Sequence, residues 1–187
     1  LTVIFLKEYA DSCNCQFTGE LTVSQFGSDR TSRLGLYTSE ERARRDSTIC
    51  TAVQGVLAPL QFLVFLVSVL LVVRYLWTGE GYVLATWSIL IKTALLFLIM
   101  ITGSIWEKVV FGRFLFAPAF FWEDVVSFLV IGLHGAYLWA LWTGHLHPAG
   151  QMWLALVAYA AYVINAGQFL IKLRAARLQS PHAGAVA

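Results

Sequence analysis

The sequence predicts an all-α polytopic membrane protein: a four-transmembrane-helix up-down bundle with its N and C termini both cytoplasmic. Three observations predict it. Four long apolar segments fall between residues 51 and 171, two of the three links between them are short, and Lys and Arg gather on one side. The composition agrees. Of 187 residues 58% are hydrophobic and 13% charged, whereas soluble domains carry about 25% charged residues. No Asp, Glu, Lys or Arg occurs from Val125 to Ile171.

Residues 1–36 are polar, mixed in sign and without sustained periodicity, and are expected to be disordered or a spurious extension from a misplaced start, since the chain opens on Leu. Cys13, Cys15 and Cys50 are odd in number and are expected to form no disulfide framework; Cys13-x-Cys15 lacks the further pair a zinc site needs. Structure is expected to begin near Thr38, where Thr38 and Glu41 suit a capping box. Arg42, Arg44 and Arg45 then sit where lipid headgroups would meet them.

The first span covers residues 51–77, with Pro59 in its opening turns, where a bend is tolerable. The second covers 82–106 and is interrupted only by Lys92, which pairs with a partner, snorkels or carries a functional role. The third covers 125–142 and the fourth 151–171. Each is near the roughly 20 residues that cross a hydrocarbon core. Residues 78–81 and 143–150 are short, Gly-bearing links that force antiparallel neighbours. Residues 114–122 are apolar, broken by Pro118, and read as an interfacial or re-entrant segment. Residues 37–178 thus form one domain, followed by a flexible tail over 179–187.

Orientation follows from Lys/Arg asymmetry. One side carries Arg42, Arg44, Arg45, Lys108, Arg113, Lys172, Arg174 and Arg177; the other has only Arg74. That places both termini inside.

The polar residues of the spans gather toward the same side. Gln54 and Gln61 share a face of the first helix; Glu107 and Lys108 close the second; Glu123, Asp124 and Ser127 open the third; Asn165, Gln168 and Lys172 end the fourth. Glu123, Ser127 and His134 lie on one stripe, as do Asn165, Gln168 and Lys172. Polar groups in a bilayer are costly and usually face the bundle interior, where they carry function or pair with one another. A polar pocket open to the cytoplasm is therefore the site hypothesis. For His134 two readings stay open, a hydrogen bond to a neighbouring helix or a metal ligand. The generic nucleotide, hydrolase and zinc-protease motifs are absent. A single intramembrane histidine weighs against a haem held between helices, and a net charge of +2 without a basic stripe against nucleic acid.

The run Trp106-Glu107-Lys108-Val109-Val110-Phe111-Gly112, followed by Leu115-Phe116-Ala117-Pro118-Ala119-Phe120-Phe121-Trp122-Glu123-Asp124-Val125-Val126-Ser127, resembles the vinyl bacteriochlorophyllide hydratases. So do Leu57-Ala58-Pro59-Leu60-Gln61-Phe62 and Gln168-Phe169-Leu170-Ile171-Lys172. The resemblance covers about residues 37–178. It implies an enzyme of a phototrophic bacterium, in its cytoplasmic or intracytoplasmic photosynthetic membrane. The enzyme adds water across the C3-vinyl group of a chlorophyllide-type Mg-chlorin, giving a 1-hydroxyethyl group that a pathway oxidoreductase then takes up.

That chemistry asks for a carboxylic acid that stays protonated near neutral pH, which partial burial favours, and a group to orient water. Glu107 or Glu123 is the expected acid, with the other or Asp124 as base, and Lys108 as the cation that steadies them or meets the substrate's propionate. Gln61, Trp122, Ser127, His134, Asn165 and Gln168 are the expected substrate contacts, His134 as an axial ligand to the substrate's Mg. No cofactor or metal of the protein's own is expected. The competing class is a non-enzymatic pigment carrier or assembly subunit of a photosynthetic complex, which has no need of carboxylates at facing helix ends.

Overall fold

The computed structural model describes residues 8–9, 12–13, 37 and 39–178. The capping box at Thr38, the tail from 179 and most of the expected disordered stretch lie outside the described residues. Among these, five helices follow in order: α1 (Ser39–Ser47), α2 (Ile49–Thr78), α3 (Tyr82–Phe111), α4 (Phe121–Thr143) and α5 (Pro148–Leu178). The last four are long and apolar enough to cross a membrane. Only 22–28% of their most apolar stretches is buried inside the bundle. The rest faces outward, as it does when lipid rather than water is the solvent.

The helices run longer than hydropathy indicates. α3 continues through Glu107 to Phe111, and α4 begins at Phe121 with Glu123 and Asp124 in its first turn, where the helix dipole favours anions. α5 begins at Pro148, whose fixed φ and missing N–H suit a first helical position. Pro59 sits inside α2 without breaking it.

Two hairpins result. α2 and α3 reverse over Gly79 and Gly81, both with positive φ (72° and 87°), a conformation that costs Gly no Cβ clash. The hairpin is then cross-tied along its length: Ser68 Oγ to Ser88 Oγ at 2.8 Å, Gln54 Nε2 donating to Thr102 Oγ1 at 2.7 Å, and Trp106 Nε1 to Thr51 Oγ1 at 2.9 Å. α4 and α5 reverse at Gly144, whose N–H caps Ala140 O at 3.0 Å. The hairpins meet mainly through α2 and α5, where Phe65 packs on Tyr159 and Tyr162 and the Tyr159 hydroxyl meets Ser68 Oγ at 2.6 Å. Val72, Ile89, Leu96, Val130, Tyr137 and Met152 fill the core around them. α3 and α4, though consecutive, touch over little of their length. We call the end with both short turns the apex, and the end with α1 and the α3–α4 link the base.

Residues 112–120 form an irregular link whose backbone turns N–H groups into the base of the bundle, and residues 121–122 already belong to α4. One expectation needs correction. Cys13 and Cys50 are joined by a disulfide with Cα atoms 5.9 Å apart. The pairing was illegible because it depends on α1 folding the chain back. Tyr9 and Cys13 are helical and buried beside Val53, Ile105, Trp106 and Val109, so at this point the expected disorder gives way to packing.

Candidate active site

The base of the bundle holds three buried carboxyl groups. Glu107 comes from the last turn of α3, Glu123 and Asp124 from the first turn of α4, and each residue is 3–5% exposed. Consecutive amides of the link hold two of them: Phe116 N–H donates to Asp124 Oδ2 at 2.7 Å, and Ala117 N–H to Glu107 Oε2 at 3.4 Å. Neighbouring amides point inward because Phe116 adopts φ 57°, the one positive φ at a non-Gly residue among those described. Such strain persists only where its surroundings impose it, and it gathers at functional sites.

The Glu107 and Asp124 carboxyl groups lie within hydrogen-bonding range of each other. Two adjoining buried carboxyl groups repel when both are ionised, so this arrangement favours a single proton held by the pair. Glu123 instead faces a cation. Lys172, from α5, donates to Glu123 Oε2 at 2.5 Å and to the Ala119 carbonyl, with its ammonium 5.1 Å from the Phe120 ring centre.

An aromatic floor closes the site from below. Phe120 stacks on Phe169 (5.8 Å), meets Trp106 and Phe111 edge-on, and lies beside Tyr37, which stacks on Phe111 at 5.6 Å. Burial pushes the Tyr37 hydroxyl above the usual phenol range, so that it too stays neutral. Above the carboxyl groups, Asn165 Nδ2 donates to Ser127 Oγ at 2.8 Å. Asn165 Oδ1, Gln168 Oε1 and both polar atoms of Gln61 are buried with no hydrogen-bond partner among the described residues. The α2–α5 register that pairs Ser68 with Tyr159 and Phe65 with Tyr162 puts Gln61 level with Asn165. Higher still, His134 is buried; its Nδ1 lies 2.8 Å from Val130 O and its Nε2 lies 3.1 Å from Lys92 Nζ.

The structure therefore brings together Glu107, Glu123 and Asp124, with Ser127, Asn165, Gln168 and Gln61 above them. Lys108 and Trp122 stand apart. Lys108 is exposed, its ammonium 4.0 Å from the Phe114 ring centre, and Trp122 is 69% exposed on the outer face of α4. The cation beside the carboxylates is Lys172, which sequence reasoning placed on the Asn165–Gln168 stripe without giving it a role. That stripe was the available signal. Nothing in the sequence announces the Phe116 backbone, because a bulky residue rarely takes positive φ.

Comparison with known proteins gives the site a family. The family profile of 2-vinyl bacteriochlorophyllide hydratase matches residues 37–175. The chain is similar to the 2-vinyl bacteriochlorophyllide hydratase of Rhodobacter capsulatus, 71% identical over 149 residues, covering 80% of this chain and 86% of that protein. It is likewise similar to that of Cereibacter sphaeroides, 72% identical over 143 residues, covering 76% and 89% respectively. No solved structure matches. The matched span takes in α2, α3 and α4 whole and α5 through Ala175, with every carboxyl group at the base, and the chain belongs to the 2-vinyl bacteriochlorophyllide hydratase family.

Proposed function

We propose that the Glu107–Asp124 pair is the acid–base centre at which this hydratase, a hydro-lyase of bacteriochlorophyll biosynthesis, adds water to the vinyl group of a chlorophyllide-type chlorin. The observation that carries the reading is the contact between two buried carboxyl groups from different helices, each also held by a backbone amide. Asp124 takes the shorter amide bond and Glu123 the lysine, so the shared proton belongs to Glu107.

Protonation of the terminal vinyl carbon by Glu107 leaves a cation that the conjugated ring delocalises. Water attacks the inner carbon and gives its proton to Asp124. The pair then holds one proton again, so each turnover restores the starting state without a net proton from solvent. The aromatic floor keeps bulk water from the pair, and Glu123 with Lys172 fixes the first turn of α4 against α5.

Ser127, Asn165, Gln168 and Gln61 meet the polar parts of the substrate and the attacking water, which explains the unfilled hydrogen-bonding atoms of Asn165, Gln168 and Gln61. Ligation of the substrate's Mg by His134 requires Lys92 to leave Nε2 first. The chemistry asks for no cofactor of the protein's own. A flat, greasy chlorin reaches the site along the sparse α3–α4 seam. The basic residues near the base support a cytoplasmic position for that end in a bacterial inner membrane, from which the hydroxyethyl product would pass to the following oxidoreductase.

Glu107→Gln and Asp124→Asn test the proposal in membranes supplied with the vinyl chlorin. Each is expected to lower the hydration rate by about 10²–10⁴-fold, the usual worth of a general acid or base. Near-normal rates in both variants would end this assignment and leave the family's reaction without its acid.

A further inference from the structure

We propose that Lys92 recognises the oxygen-bearing edge of the substrate, the edge across the macrocycle from the vinyl group. Lys92 lies in the interior of α3 with no exposed surface. It stands 15 residues before Glu107, a helical rise of about 22 Å. Its surroundings are unusual for a buried amine. His134 Nδ1 faces a backbone carbonyl, which can only accept; the imidazole hydrogen is therefore on Nδ1, and Nε2 is left to accept from Lys92. The remaining neighbours are the faces of Tyr162 at 4.0 Å and Tyr159 at 5.5 Å. Among the described residues no carboxylate pairs with it.

An amine carries two hydrogens when neutral and three when charged, and His134 takes one. At least one N–H thus has no oxygen or nitrogen acceptor among the described residues, in a region where unsatisfied donors are costly. A ligand oxygen would satisfy it. Gln61 and Asn165, with their unpartnered amide atoms, lie between Lys92 and the carboxyl pair, so unfilled polar atoms mark a path from one to the other. A chlorophyllide-type chlorin carries its ring-ketone and ester oxygens on the side opposite the vinyl group. With the vinyl at Glu107 and the ring lying along the bundle, those oxygens run toward Lys92. This inference rests on the acid–base reading above for the position of the vinyl end.

The test is a binding titration, followed by pigment absorbance, on detergent-solubilised protein. Two vinyl chlorins are compared, one with its ring ketone and one with the ketone reduced to methylene. Wild-type protein is expected to bind the ketone form about tenfold more tightly, the worth of a well-made buried hydrogen bond. Lys92→Met in a Glu107→Gln background is expected to erase that preference, and Lys92→Arg to retain part of it. Equal affinities in the wild type, or an unchanged preference in Lys92→Met, would overturn the proposal. Binding is read here without turnover, so a failed acid assignment shows separately, as hydration that survives Glu107→Gln. In the active protein, Lys92→Met is expected to raise KM and leave kcat close to normal.

Discussion

The two ends of the bundle solve different problems. At the apex every reversal uses Gly: Gly79, Gly81 and Gly144 take the positive φ values, and no other residue there does. Gln151 spends both ends of its amide on structure, accepting from Tyr82 Oη at 2.5 Å and donating to Leu146 O at 3.0 Å. At the base the chain puts positive φ on Phe116, collects three carboxyl groups away from water, and leaves amide atoms of Asn165 and Gln168 unpaired. A sequence selected only for stability would resolve most of these conflicts; toward the apex, among the described residues, Thr86 Oγ1 and Tyr137 Oη are the buried polar atoms left without a hydrogen-bond partner. Local rules broken together at one end mark that end as the place where stability was given up for chemistry.

The sharpest way to break this comparison, after the carboxyl pair itself, is Lys172→Met. It leaves Glu123 facing its neighbours with no cation, 6% of its side chain exposed. The expected loss is about 3 kcal/mol of stability, the low end for a broken buried pair, because Lys172 is itself partly exposed. Hydration should fall with it, since Glu123 and Asp124 share one helical turn. Adding Glu123→Gln should return most of the stability, because a neutral pair leaves no uncompensated charge. Thermal unfolding in detergent reads the first effect and chlorin turnover the second. If the double variant is no more stable than the single one, the ion pair is not what holds this turn.

Phe116 gives the next largest effect. Phe116→Ala and Phe116→Gly both remove the ring that stacks on Phe128 at 5.6 Å, and they differ chiefly in their tolerance of φ 57°. Ala is expected to be less stable than Gly by about 1 kcal/mol, the backbone penalty of a Cβ in the left-handed region. It should also be the less active of the two, because the Phe116 amide orients Asp124. Equal stability and activity in both variants would show that the link owes nothing to this backbone geometry.

How much of this was legible follows the same division. The four spans, their order and the short reversals were readable because lipid imposes length and hydropathy on each segment separately. The convergence of Glu107, Glu123 and Asp124 was readable from helix ends and facing directions alone. Lys172 rather than Lys108 is the cation paired with a buried carboxylate; both are basic residues near the same end, and only packing shows which one reaches inward. Lys108 follows Glu107 directly and therefore points about 100° away from it around α3. The disulfide and the inward-facing amides of residues 116 and 117 depend on chain reversals that no local pattern encodes.

The smallest effect belongs to the apex. Tyr82→Phe removes the hydrogen bond to Gln151 Oε1 and nothing else from the ring, whose contact with Tyr75 at 5.6 Å remains. About 1 kcal/mol of stability is the ordinary cost of such a bond. The hydration rate is expected to stay within twofold of normal, because a turn that only joins helices has no part in proton transfer at the opposite end. Unfolding and turnover measured on the same preparation separate the two quantities. A large loss of activity at unchanged stability would mean that the α2–α3 reversal is coupled to the carboxyl site, and the contrast between a structural apex and a chemical base would have to be abandoned.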